Sequence, residues 1–124
     1  MRRRFVHLEE FCLRLPGAYA EQPWGPNTTV FKVDGRIFAI PSPPDHAVLS
    51  VAVKVSPAFR EALRIHPATY VPAYVGRFGW IGIRVTDDET WEMGTAAIEE
   101  SYALVRGRSR GSPAAARPPP HPAS

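Results

Sequence analysis

The feature that most restricts the fold is a strict alternation of side chains in residues 48–55. Large aliphatic residues occupy every second position, namely Leu49, Val51, Val53 and Val55. Successive side chains of a β-strand point to opposite faces of its sheet. One face of this segment is therefore apolar, whereas the other carries Ser50 and Lys54. The segment predicts a strand in a sheet that is covered on one side only.

Four further segments predict strands: Thr28–Val33, Arg36–Ile40, Tyr70–Val75 and Trp80–Val85. The first two are joined by Asp34-Gly35, a pair typical of two-residue hairpin turns. In the last segment Ile81 and Ile83 alternate with Trp80 and Arg84. The Pro- and Gly-rich stretches 21–27 and 41–46 predict loops.

Two helices are predicted in the first two thirds of the chain. In Phe5–Leu15, apolar residues recur at spacings of three and four, so they share one face with Cys12. A second helix begins at Ser56-Pro57, since serine is a favoured N-cap and proline suits the first turn. It ends at His66-Pro67, and we expect its buried face to consist of Phe59, Ala62 and Leu63.

A third helix is predicted after Thr86, which lies three residues before Glu89 in a pattern typical of a capping box. This helix reaches about Arg106, and its apolar residues share one face: Trp91, Ile98, Tyr102 and Val105. The element order is α-β-β-β-α-β-β-α. Because regular βαβ alternation is absent from this order, we expect an α+β fold with an antiparallel sheet and helices packed on one face.

Charge divides the chain into a folded part and its ends. Seven of the 15 Lys and Arg residues lie at the two termini, which leaves eight against all 12 acids in residues 5–105, a net charge of about −4. We predict one domain over residues 1–106. Residues 107–124 are rich in Arg, Ser, Ala and Pro without large apolar side chains, so they predict a basic disordered tail.

Ordered sequence motifs resemble the MmcQ/YjbR family from about Arg4 to Val105. These motifs are "LPGAYAEQPWG", "TVFKVDGRIFAI", "VKVSP", "YVPAYVGRFGW" and "ESYALV". The resemblance implies a compact α+β fold similar to the frataxin-like (CyaY-like) topology. It also implies DNA binding through a double-wing arrangement of hairpins. This chain departs from many relatives at residues 76–79, where only Arg77 stands in place of a basic and polar run with a histidine.

Few residue patterns suggest catalysis, metal binding or membrane insertion. Cys12 lies on an apolar helix face, and none of the four histidines has ligand spacing to another histidine or to an acid cluster. An iron site like that of frataxin-like proteins would need a ridge of carboxylates, and the first helix offers only Glu9 and Glu10. We therefore predict a cytoplasmic binding module without catalytic residues, metal, cofactor or membrane span.

The best candidate for function is the face of the sheet opposite the helices. If the aliphatic residues face the core, Lys54, Trp80 and Arg84 lie together on the other side, and Lys32 joins them. The predicted DNA-binding residues are Lys32, Arg36, Lys54, Arg77, Trp80 and Arg84. Cations beside aromatic rings suit phosphates and stacked bases, and they equally suit an acidic protein or peptide partner or a small anion. A solvated face is the remaining alternative, and we expect a monomer or weak dimer.

Overall fold

A computed structural model describes residues 2–26, 28–72 and 79–110 of the chain. The helices are α1 (Arg2–Arg14), α2 (Pro57–Arg64) and α3 (Asp88–Arg110). The strands are β1 (Tyr19–Glu21), β2 (Val30–Val33), β3 (Arg36–Pro41), β4 (Ser50–Lys54), β5 (Thr69–Tyr70) and β6 (Trp80–Arg84). Within the described ranges, none of the helices has the length and apolarity that a bilayer span requires.

The strands form one six-stranded sheet in the order β1-β2-β3-β4-β6-β5. Every neighbouring pair is antiparallel. Along the chain, α2 and β5 lie between β4 and β6. In the sheet, β6 pairs directly with β4, and β5 is the outermost strand beyond β6. The predicted α+β class with an antiparallel sheet is confirmed, but the predicted order lacks β1.

The main core lies between the sheet and helices α1 and α3. All four aliphatic residues that alternate through β4 and its flanks are buried there, as the sequence predicts. Leu8 and Cys12 of α1 and Ile98 and Val105 of α3 belong to the same cluster. One face of the sheet therefore carries the helices, and the opposite one is the outer face.

The turn between β2 and β3 has the backbone that the Asp34-Gly35 pair predicts. Both residues have positive φ, 54° for Asp34 and 78° for Gly35. A type I′ turn requires positive φ at both central positions, and its twist matches that of the flanking strands. The hairpin prediction is confirmed.

A bulge in β3 changes how the sheet meets α3. Phe31 pairs with Ala39 but Lys32 pairs with Ile37, so Phe38 is an extra residue in β3. Both Phe38 and Ala39 then belong to the core on the helix side. A bulge of this kind bends the strand and leaves the extra residue outside the ladder.

Ser101 of α3 completes the hydrogen bonding beside this bulge. The β3–β4 ladder ends at Ala39 and Val53, so Phe38 and Lys54 would form the next pair. Instead, the fully buried Ser101 hydroxyl donates to the Phe38 carbonyl at 2.7 Å and accepts from the Lys54 amide at 3.0 Å. One helix side chain thus supplies the link that the two strands lack.

The N-cap of α2 is confirmed, whereas the predicted buried face of α2 and the predicted cap of α3 are wrong. Ser56 is the N-cap of α2, and its hydroxyl accepts from the Phe59 amide at 3.3 Å. However, α2 has no fully buried residue, and Ala62, predicted to be buried, is exposed. For α3, the cap consists of Asp87 and Thr90 instead of Thr86 and Glu89. The Asp87 carboxylate accepts from the Thr90 amide at 2.9 Å, and the Thr90 hydroxyl accepts from the Asp87 amide at 3.0 Å.

Two segment ends differ most from those predicted. β5 ends at Tyr70, where a strand to Val75 was expected, and α3 continues to Arg110, beyond the expected end at Arg106. Residues 73–78, which include Arg77, and residues 111–124 of the predicted tail lie outside the described residues.

Candidate functional site on the outer face

The pairing of β4 with β6 places three of the predicted site residues on the outer face. Lys54 is opposite Trp80, and Ser50 is opposite Arg84. Their neighbours Val51, Val53, Ile81 and Ile83 belong to the core under the helices. Because side chains alternate between faces, Lys54, Trp80 and Arg84 share the face without helices.

Lys32 of β2 adds a fourth predicted residue to this face. It pairs with Ile37, whose side chain packs in the apolar cluster around Trp80. Its ammonium group lies 2.9 Å from a carboxylate oxygen of Glu21 on β1. The Lys32 side chain is 17% exposed and that of Glu21 is 47% exposed, so water screens this ion pair from one side. The charge of Lys32 is thereby partly compensated.

Trp80 is buried on the outer face, with only 4% of its surface exposed. It forms a small second apolar cluster with Val30, Ile37 and Ala52, against which Ile40 packs. The Trp80 carbonyl accepts from Nε of Arg60 in α2 at 3.3 Å. The indole therefore packs against its own sheet and does not present a ring face for stacking.

Tyr70 of β5, which is not one of the six selected residues, also contributes to this face, where its ring contacts β6 and β4. It pairs with Gly82, and a Cβ added to Gly82 would come within 2.2 Å of Cζ of the Tyr70 ring. The Tyr70 hydroxyl donates to Oγ of Ser50 on β4 at 2.9 Å. The guanidinium carbon of Arg84 lies 4.6 Å from the centre of the same ring, a cation–π distance. Glycine inside a strand often marks such a close approach, and this was the one available sequence signal.

Of the other two selected residues, Arg36 and Arg77, the structure describes only Arg36. Arg36 is the first residue of β3, directly after the hairpin turn, and is half-buried. Trp24, which is not one of the six selected residues, is 43% exposed in the loop between β1 and β2. Arg77 lies in the segment that the structure does not describe. The described residues thus place four of the six selected residues on one face and a fifth at the end of the β2–β3 hairpin.

Charge is unevenly distributed between the strands and the rest of the domain. The six described strands contain four cations, Lys32, Arg36, Lys54 and Arg84, and a single acid, Glu21. Five of the remaining acids belong to α3: Asp88, Glu89, Glu92, Glu99 and Glu100. Although residues 5–105 are acidic as a whole, the strands are basic.

Two described groups with shifted pKa values, the Cys12 thiol and the Asp87 carboxyl, lie away from the outer face. Burial, reinforced by the charge of Glu9, raises the pKa of the Cys12 thiol to about 12. The pKa of Asp87 lies below its ordinary value because its carboxylate accepts hydrogen bonds from the Thr90 amide and hydroxyl. Among the residues that the structure describes, no three His, Cys, Asp or Glu side chains converge as metal ligands would.

Comparisons with known proteins agree on the fold. A family model described as YjbR matches residues 13–104. Protein DR2400 of Deinococcus radiodurans, described as having a DUF419 domain, superposes with a TM-score of 0.73 at 25% identity over 89% of this chain and 83% of that one. A Pseudomonas syringae protein has a TM-score of 0.63 at 19% identity, covering 84% and 97% of the two chains. The comparison with curated proteins found no significant match.

Proposed function

The chain belongs to the YjbR family, and from that premise we propose that it is a non-enzymatic DNA-binding module that contacts the phosphate backbone with its outer face. The observation that carries the proposal is the placement of Lys32, Lys54 and Arg84 on one side of the sheet. Lys and Arg contacts to phosphates provide most of the non-specific affinity for DNA.

The spacing of these cations favours a polymeric anion over a small one. Lys32 and Lys54 are two strands apart, which corresponds to roughly 10 Å between backbones at about 4.8 Å per strand. Arg84 lies four residues along β6 from the position opposite Lys54, a further distance of roughly 14 Å at about 3.4 Å per residue. One small anion cannot contact all three side chains, whereas successive phosphates of a nucleic acid can.

In this proposal Trp80 does not read bases, because its ring is buried on the outer face. Its ring packs on Ala52 and Ile37, so it stiffens the strands that carry the cations. Contacts between the cations and phosphates position a protein on DNA but carry no direct sequence information. We therefore expect binding with little sequence preference and a strong dependence on salt. Arg36 pairs with Val33, whose side chain lies in the core under the helices, so Arg36 does not share this face. Arg77, outside the described residues, stays a predicted contact.

The test is DNA binding by the full chain, measured by fluorescence anisotropy with a short duplex over a range of salt concentrations. We expect Lys32→Ala and Arg84→Ala each to weaken binding and to reduce the slope of log affinity against log salt by about 0.9. Arg64→Ala is the matched control, because Arg64 lies on α2 and pairs with Glu61. No binding at micromolar protein in low salt would refute the proposal.

A further variant separates the sheet from the C-terminal arginines. Arg108, Arg110 and Arg117 are replaced together by glutamine in the full chain. If this variant loses all binding while Lys32→Ala and Arg84→Ala bind as wild type, the affinity resides in the C-terminal arginines and the outer face has no role in it.

A protein or peptide partner is the second candidate, and the edge strand β1 favours it. All three residues of β1 are exposed, Tyr19 is 38% exposed, and Trp24 in the following loop is 43% exposed. Exposed aromatic side chains of this kind are enriched at protein interfaces. This candidate predicts a co-purifying protein and no salt-sensitive DNA binding. Recovery of nucleic acid alone after cross-linking would contradict it.

A further inference from the structure

Gly82 has no backbone reason to be glycine. It lies within β6, pairs with Tyr70 and Ala52, and is not among the described glycines with positive φ. Glycine in the interior of a strand weakens it, since no side chain packs there. The space above Gly82 explains its presence, because a Cβ would lie 2.2 to 2.5 Å from three atoms of the Tyr70 ring. The tyrosine ring therefore lies directly on the strand backbone.

The Tyr70 ring is also anchored at its far end. It extends from β5 across β6, and its hydroxyl donates to Oγ of Ser50 on β4 at 2.9 Å. The Ser50 amide in turn donates to Oγ of Ser42 at 3.0 Å. The backbone below and the hydrogen bond at the hydroxyl together hold the ring in one place.

Arg84 lies on this fixed ring and is exposed to solvent. Its guanidinium carbon is 4.6 Å from the ring centre. Within the described ranges, no carboxylate forms an ion pair with it, in contrast to Lys32 and Arg64. The guanidinium is planar and its N–H donors form a fork that matches a phosphate. Contact with a fixed ring restricts the conformers that the side chain can adopt. The donors at its rim are thus oriented before any ligand arrives.

We propose that Arg84 and Tyr70 form a preorganised seat for one phosphate group, which Arg84 binds through two parallel hydrogen bonds while Tyr70 acts as its positioning residue. The proposal rests on the proposed DNA-binding function and names where on the outer face one backbone phosphate binds. Preorganisation increases affinity because the side chain loses less conformational freedom on binding. Charge attraction alone would not need Tyr70, and this difference makes the proposal testable.

The first measurement compares DNA affinity and its salt dependence in full-length variants. Tyr70→Leu removes the ring but no charge, so we expect an unchanged salt slope with affinity weakened about two- to fivefold, the range of an exposed cation–π contact. Gly82→Ala should have the same effect by displacing the ring. Tyr70→Phe keeps the ring and should stay near wild type. Arg84→Lys keeps the charge but loses the fork, and should weaken binding, whereas Arg64→Lys should not.

The second measurement does not depend on DNA. The Nε–H signal of Arg84 is followed by NMR during titration with inorganic phosphate, and then with dimethyl phosphate as a probe of the diester. We expect the signal to shift in wild type and in Tyr70→Phe, and to shift much less in Tyr70→Leu. Thermal unfolding of each variant shows whether it is folded. Should Tyr70→Leu fail to fold, the surface change Arg84→Lys still tests the seat through its effect on DNA affinity.

The outcomes separate the seat from the DNA-binding function. If wild type binds DNA and folded Tyr70→Leu and Gly82→Ala bind equally well, the seat is refuted and the function stands. If DNA is not bound but the Arg84 signal responds to phosphate in a Tyr70-dependent way, the seat stands and the DNA-binding function fails. If the Arg84 signal of wild type does not respond to either phosphate probe, the seat is refuted.

Discussion

Replacing Ser101 by alanine tests whether one helix side chain completes the sheet. The Ser101 hydroxyl is fully buried, donates to the Phe38 carbonyl and accepts from the Lys54 amide. Alanine fits the same space but provides neither hydrogen bond. Since the β3–β4 ladder ends at Ala39 and Val53, β3 and β4 do not pair Phe38 with Lys54 directly, and the Ser101 hydroxyl bonds to both backbone groups.

The expected loss of stability is large for a single oxygen atom. Each buried backbone group that loses its partner costs about 1–3 kcal/mol. Alanine is the better helix former, which returns about 0.5 kcal/mol. For the two groups together, Ser101→Ala should therefore lower the free energy of unfolding by roughly 1.5–5.5 kcal/mol, a substantial part of the ~5–15 kcal/mol typical of a domain. At about 4 °C per kcal/mol for a domain of this size, the melting temperature should fall by roughly 6–22 °C.

Equilibrium urea unfolding, followed by circular dichroism and tryptophan fluorescence, measures this loss. The control is Thr95→Ala on the same helix, because the Thr95 hydroxyl makes only an exposed bond to the Glu92 carbonyl. That variant should stay within about 0.5 kcal/mol of wild type. If Ser101→Ala costs no more than the control, the two backbone groups have found other partners and the bridging role is wrong.

Three further predictions concern stability. The raised pKa of Cys12, about 12 against an ordinary 9.0, means that the unfolded chain releases the thiol proton first as the pH rises. Wild type should therefore lose stability above pH 9 relative to Cys12→Ala, by up to about 1.4 kcal/mol per pH unit, and parallel pH curves would refute this. Ser56→Ala should cost about 1 kcal/mol and Ser56→Asn only a few tenths; equal losses in urea unfolding would show that the cap is unimportant. The pKa of Asp87 lies below its ordinary 3.8. The stability of wild type over Asp87→Asn should therefore be fully present above pH 3.8 and be lost as the pH falls through the lowered pKa. A stability difference that does not change with pH would contradict this.

Local rules predicted the elements that depend on neighbouring residues. The alternation in β4 and the Asp34-Gly35 turn are properties of a few adjacent side chains, and the structure has both. The strand β1 was missed because its three residues are all exposed and show no alternation. The cap of α3 was placed one residue early, since Thr86 and Asp87 are both good N-caps and only the contacts of Thr90 distinguish them.

The outer face shows what periodicity cannot predict. Alternation assigned Trp80 to this face but carried no information on whether the ring would be covered. Burial of Trp80 depends on Val30, Ile37 and Ala52, which belong to three other strands. Likewise, the contact of Tyr70 with Ser50 joins residues 20 positions apart. Such contacts depend on strand order, which a single sequence does not specify.

The two outermost strands affect whether native molecules associate through their sheet edges at high protein concentration. β1 has three residues and β5 has two, whereas the interior strands β3 and β4 have six and five. Unpaired amides and carbonyls on a long outer strand invite pairing with another molecule, and short or charged outer strands discourage it. In this sheet each edge strand has only a few unpaired amides and carbonyls, and Glu21 adds a carboxylate to β1. Intermolecular β-sheet growth should therefore begin from partly unfolded chains, and native protein should remain dispersed at high concentration.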